Sequence, residues 1–276
     1  MIRRWCISLT SIALVSGSLM AAAGSASASV SAHPGATAAR GGTATRGWTP
    51  GGLMQRPAGA AAPIKAAHGL KHQTTSTNWS GYAVTGSNGA FSSVSASWTE
   101  PAATCSKGNQ YASFWVGLDG YDSNSVEQTG TDSDCSGRTA EYYGWYEMYP
   151  AYPVNFSNPV SPGDKISASV TFSGTQTYTL VLTDTTKGWT QTITQNQGGL
   201  DRSSAEVITE APSSGSVLPL ANFGTINYTA SSDNGSSMGT QSPIEIVMVN
   251  KKGADKDTTS AMTSAGAFSN TWLSAR

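Results

Sequence analysis

The sequence predicts an all-β fold, an antiparallel β-sandwich over residues 73–276, behind a disordered N-terminal leader. Three observations carry this. Ser and Thr supply 59 of those 204 residues, while the helix formers Glu, Lys and Arg are scarce. Apolar residues recur at period two in run after run. Gly, Asn, Asp and Pro punctuate the runs at roughly ten-residue intervals, the spacing of a sandwich.

In chain order, residues 1–28 read as an export signal. Arg3 and Arg4 give a positive start, and Ile7 to Met20 is apolar but too short and Ser-rich to span a membrane. Ala26-Ser27-Ala28 is a small-x-small cleavage site. No later apolar run reaches roughly 18 residues, so a secreted protein with no membrane anchor is expected. Residues 29–72 are rich in Ala, Gly, Thr and Pro and lack apolar periodicity. They are either a disordered linker or a basic propeptide, and charge segregation favours the propeptide.

The strands of the body follow. Val94, Ala96 and Trp98 alternate with Ser93, Ser95 and Ser97. Ile166, Ala168, Val170 and Phe172 alternate with Lys165, Ser167, Ser169 and Thr171. Tyr178, Leu180 and Leu182 alternate with Thr residues, and Ile244, Ile246 and Met248 face away from Glu245. Turns are expected at Gly86–Gly89, Pro162–Asp164, Asn196–Gly199 and Asp233–Gly235. Once Cys6 leaves with the signal, Cys105 and Cys135 remain, which outside the cell are most simply one disulfide. Closing a loop of about 30 residues contributes roughly 3–4 kcal/mol in the chain-entropy model.

Charge then narrows the function. Residues 1–72 hold seven Lys and Arg and no acid, leaving nine basic and all 17 acidic residues in the body, a net of −8. An acidic body is wrong for a nucleic-acid binder. All three histidines, His33, His68 and His72, lie in the leader. The body therefore cannot hold a Ser-His-Asp triad, a Cys-His dyad or a His-ligated metal, and neither metal nor cofactor is expected. A monomer is expected.

One stretch stands out. From Glu141 to Tyr149, strand alternation puts Glu141, Tyr143, Trp145, Glu147 and Tyr149 on one face. Aromatics mixed with carboxylates suit a cleft wall; they would equally fit an aromatic face with acids at its rim. A second stretch, Phe114 to Gly120, puts Trp115, Gly117 and Asp119 on one side and is followed by Glu127-Gln128-Thr129-Gly130. Without histidine, a carboxylate must carry any proton transfer. The options are a glycosidase acid pair, two Asp activating water, or one carboxylate with an amide donor. No Asp-Thr-Gly or Asp-Ser-Gly motif is present, and composition alone does not choose among the three.

Several motifs in order resemble the glutamic peptidases, the eqolisin family (G1) of acid endopeptidases, in a bacterial-type secreted form. They are Asn78-Trp79-Ser80-Gly81-Tyr82, Val94 to Pro101, Trp115 to Gly120, Glu127 to Gly130, Trp145 to Pro150, Ala205 to Ile208 and Ala221 to Gly224. The resemblance implies a concanavalin A-like (lectin-like) sandwich of two long bent sheets whose concave side holds a substrate cleft. It implies Gln128 and Glu206 as the catalytic pair acting on protein or peptide substrates. It also implies Trp115, Asp119, Trp145, Glu147 and Tyr149 as residues around the substrate. Where fungal members carry Asp two residues before the motif's Trp, this chain has Tyr143, which puts acid–acid sharing there in doubt. Strand alternation puts Glu206, Ile208 and Glu210 on one face, as a base facing a cleft requires. A non-catalytic sandwich that binds carbohydrate or protein on the Trp145–Tyr149 face remains the alternative, since this fold hosts both uses.

Overall fold

A computed structural model describes residues 73–276. The leader and the export signal expected over residues 1–28 and 29–72 lie outside the described residues. The body is built from sixteen strands, β1 (Gln73–Ser76), β2 (Trp79–Thr85), β3 (Ser93–Thr99), β4 (Ser113–Leu118), β5 (Val126–Ser136), β6 (Thr139–Tyr149), β7 (Val154–Pro159), β8 (Lys165–Phe172), β9 (Thr177–Asp184), β10 (Trp189–Asn196), β11 (Ser204–Glu210), β12 (Thr225–Asp233), β13 (Ser236–Ser237), β14 (Ile244–Met248), β15 (Asp257–Thr259) and β16 (Phe268–Trp272). A single 3-10 turn, Met238–Thr240, is the only helical piece among the described residues.

The strands form two sheets. The first runs β1-β14-β2-β11-β4-β5-β6-β7 and the second β10-β9-β8-β3-β12-β16-β15, with β13 added to β12. Pairing is antiparallel except between β1 and β14, which run parallel. That exception departs from the purely antiparallel expectation. β14 follows β1 by most of the body's length, so no hairpin constrains its direction.

The core lies between the sheets. Phe114, Val116, Leu118 and Val207 come from the first, and Val94, Trp98, Ile166, Val170, Leu180, Leu182 and Tyr228 from the second. Each fully buried side chain of this size contributes roughly 1.5–3 kcal/mol of transfer free energy. β3, β8 and β9 alternate buried with accessible positions, so their hydroxyls face solvent as the sequence predicts. The turn at Asn234-Gly235 joins β12 to β13, both residues taking positive φ (46° and 77°), which the right-handed strand twist demands of a two-residue hairpin.

The centre of the first sheet behaves differently. β4 and β11 are buried at every position, and β5 at all but its last. Burial on both faces erases alternation, which is why Ser113–Leu118 reads as a continuous apolar run. Cys105 and Cys135 are joined in a disulfide that ties the segment before β4 to the end of β5.

Candidate active site

Pairing across the first sheet assembles one row of residues. Glu206 on β11 pairs with Gly117 on β4, Gly117 with Gln128 on β5, and Gln128 with Glu147 on β6. On the other side Glu206 pairs with Ala83 on β2. Directly paired residues share a face, so Glu206, Gln128 and Glu147 project to the same side of the sheet. Glu206 and Gln128 stand two strands apart, roughly 10 Å at the backbone. Gly117, between them, contributes no side chain. A Cβ there would meet Trp115 Cζ3 at 2.9 Å, Val126 Cγ1 at 3.1 Å and Gln128 Cβ at 3.2 Å.

This face has its own apolar cluster. Trp79, Ala83, Trp115, Tyr121, Val126, Tyr143, Trp145, Ile208 and Ile246 form it, with Tyr149 and Ile244 packed alongside. All belong to the first sheet or its loops; among the described residues the second sheet adds nothing to it. Trp79 and Trp115 meet edge to face at 5.0 Å. Of the five residues that alternation puts on one face, Tyr143, Trp145 and Glu147 are buried here with Tyr149 beside them, while Glu141 is only half-buried and outside the cluster.

The polar groups are fixed by short bonds. Gln128 donates its side-chain N–H to Glu147 Oε2 at 2.5 Å. Trp115 Nε1 donates to Glu210 Oε2 at 2.9 Å, and Asn78 Nδ2 to Glu210 Oε1 at 3.3 Å. Trp145 Nε1 donates to Asp132 Oδ1 at 2.5 Å. Asp119, at positive φ (67°), accepts the N–H groups of Arg202 at 2.6 Å and Ser203 at 2.8 Å. It thereby fastens the segment entering β11 to the end of β4. Asp119 belongs to the frame of the row rather than to the row itself.

Glu206 is fully buried, and neither carboxylate oxygen has a hydrogen-bond partner of good geometry. Burial pushes its pKa well above the usual carboxylate range, outweighing the nearby Ser204 hydroxyl and Tyr121 N–H, which favour the charged form; Asp119 and Glu127 raise it further. Burial thus favours its protonated form.

Tyr143 stands where the resemblance leads one to expect an acid. Its hydroxyl lies 3.0 Å from Asp132 Oδ2 and 2.7 Å from Asp134 Oδ2. One hydroxyl proton cannot serve both contacts, so the cluster needs a second proton. Burial first and Asp132 second push the pKa of Asp134 well up, which favours its protonated form. Two acids of β5, Asp132 and Asp134, thus flank the Tyr143 hydroxyl beside the row. Sequence reasoning missed Asp132, Asp134 and the Trp115–Glu210 bond. Alternation in Asp132-Ser133-Asp134 was the available signal, since it aligns both acids with Gln128.

No group of three or more His, Cys, Asp or Glu residues among the described residues could hold a metal ion. No described helix is long and apolar enough to cross a membrane.

Comparison with known proteins places the chain in a family and a fold. Residues 77–272 match the profile of the Peptidase A4 family. The chain is 28% identical over 208 residues to aspergillopepsin-2 of Aspergillus niger, covering 66% of this chain and 73% of that protein. The fold superposes on a crystal structure of scytalido-glutamic peptidase with a transition-state analogue inhibitor, with a TM-score of 0.62 at 27% identity, covering 71% of this chain and 98% of that one. It also superposes on aspergilloglutamic peptidase from Aspergillus niger, with a TM-score of 0.53 at 29% identity, covering 59% and 99% of the two chains. By sequence and by fold, the chain belongs to the Peptidase A4 family, the glutamic peptidases or eqolisins, and is a peptide hydrolase.

Proposed function

We propose that the protein is a secreted acid endopeptidase whose catalytic pair is Glu206 and Gln128. The observation that carries this is the row itself, a carboxyl and an amide on one face with the side-chain-free Gly117 between them. A substrate carbonyl over Gly117 would lie within reach of both. As a carboxylate, Glu206 takes a proton from a water molecule, which attacks the scissile carbonyl carbon. The carbonyl oxygen gains the negative charge, and a Gln128 N–H receives it. The tetrahedral intermediate then collapses, the C–N bond breaks, and Glu206 passes its proton to the leaving amine. Trp115, Asp119, Trp145, Glu147 and Tyr149 surround or brace the bound peptide.

A base must be ionised, whereas burial favours the protonated form of Glu206. Opening the face to water removes the largest cause of that shift. This favours a precursor in which residues 29–72 cover the site as a basic propeptide, after export directed by residues 1–28. The charge asymmetry of the chain supports it, with five Lys and Arg and three His in that segment against a body of net −8. Acid neutralises the body's carboxylates and weakens the attraction.

The deciding experiment compares the protein with Glu206→Gln on denatured casein or haemoglobin at about pH 3–4, where ordinary carboxyls titrate. Hydrolysis by the first and none by a folded second is expected. Absence of hydrolysis by both would leave a binding role for the Trp145–Tyr149 face instead.

A further inference from the structure

One cavity of the body lies away from the row. It has a volume of about 710 Å³ and shares no lining residue with Glu206, Gln128 or Glu147. It opens beside the ends of β1 and β14 and the segment that follows β11. Lys251, Lys252, Lys256 and Arg276 line it, against a wall that includes Val217 and Leu218. These are four of only nine basic residues in a body that carries 17 acids. Such a gathering runs against the charge of the surrounding surface.

Lys256 is the second observation. Its side chain is only 3% exposed. Its backbone is fully engaged, the N–H donating to Met248 and the carbonyl accepting from Leu273 and Ser274. Its ammonium makes no hydrogen bond or ion pair with another described residue. Burial lowers its pKa to about 8, with Asp257 pulling the other way. Two acceptors nearby have partners of their own, while Asp257 Oδ1 is left with none among the described residues. Asp257 accepts the Ser80 hydroxyl, and the main-chain oxygen of Arg276 accepts from Asn250 Nδ2 at 3.3 Å and Ser274 Oγ at 2.6 Å. A largely buried ammonium costs free energy unless counter-charge is supplied, here by Asp257 in part and by a ligand for the rest.

We propose that this cavity binds a carboxylate carried on an apolar body, with Lys256 as its anchor, Lys251, Lys252 and Arg276 as its basic rim, and the Val217–Leu218 wall receiving the apolar part. The chemistry is that of the C-terminal residue of a peptide with an apolar side chain. The site is separate from the proposed catalytic pair and does not depend on it.

Calorimetric titration of the full-length protein at about pH 5.5, where the lysines are charged and a free carboxylate is ionised, tests this. The probes are N-acetylleucine, its neutral amide and inorganic phosphate. N-acetylleucine is expected to bind at least tenfold more tightly than either of the others. Lys256→Met should lose that binding by tenfold or more, and Lys256→Arg should keep most of it. In lysine-labelled wild-type protein, the Lys256 NMR signal should shift on saturation with N-acetylleucine. Equal binding of the amide would overturn the anionic recognition, and equal binding of phosphate would overturn the apolar part. An unmoved Lys256 signal at saturation, or undetectable binding, would overturn the site, whether or not the Lys256→Met variant folds.

Discussion

Gln128 donates its side-chain N–H to Glu147 across 2.5 Å, between directly paired positions of β5 and β6. An amide can present oxygen or nitrogen to its surroundings, and a carboxylate partner accepts only from the nitrogen. Glu147 therefore sets which way the Gln128 amide is turned. It does so from the side away from Gly117 and Glu206, so the orientation is fixed before any substrate arrives.

Glu206→Gln is expected to abolish peptide hydrolysis while leaving the fold intact. The new side chain is nearly isosteric and brings no charge into the buried position, but it cannot take a proton from water. Activity assays with circular dichroism on the same sample check this; more than a few per cent of activity in a folded variant would refute the base assignment.

Gln128→Ala removes the proposed donor to the developing oxyanion. A loss of roughly 10²–10³ in kcat is expected, about 3–4 kcal/mol. Glu147→Gln keeps a partner for Gln128 but releases control of its orientation. It should cost less, roughly tenfold, and fall on kcat more than on KM. Wild-type turnover in Gln128→Ala would remove the oxyanion role.

Gly117→Ala should fold and lose most activity. Its Cβ would press on Trp115 at 2.9 Å and narrow the gap between Glu206 and Gln128. Steady-state kinetics should show KM rising and kcat falling together. An unaltered kcat/KM would mean that substrate does not pass over this position.

The body should be most stable in acid and weaken as pH rises. Burial raises the pKa of Glu127 to about 9, of Glu100 to about 8 and of Asp257 to about 7. Each group binds its proton more tightly folded than unfolded, where carboxyls titrate near pH 4. The stabilisation is complete below about pH 4 and is lost as pH climbs through the folded values of 7 to 9; each tenfold difference in proton affinity corresponds to about 1.4 kcal/mol. Thermal melts from acid to alkaline pH should show Tm falling, and Glu127→Gln should flatten the fall. A Tm that rises toward pH 9 would contradict this account.

The sequence by itself determined what is local. Period-2 alternation in β3, β8 and β9 depends only on neighbouring residues, so the sandwich and its hydroxyl-bearing outer face were legible there. The absence of histidine from the body restricted proton transfer to carboxyls, and two remaining cysteines specified one bridge. Alternation also placed Glu206 with Glu210, and Trp145 with Glu147, on shared faces. Only the tertiary structure decided what is non-local. Gln128 and Glu206 lie far apart in the chain and meet because β4 pairs with both their strands. The same pairing placed Gly117 between them, set Trp115 against Glu210, and gave Tyr143 two acids to bridge. Alternation shows which residues of one strand share a face, but not which distant strand lies beside it or in what register, and that is set by how the assembled sheet is buried.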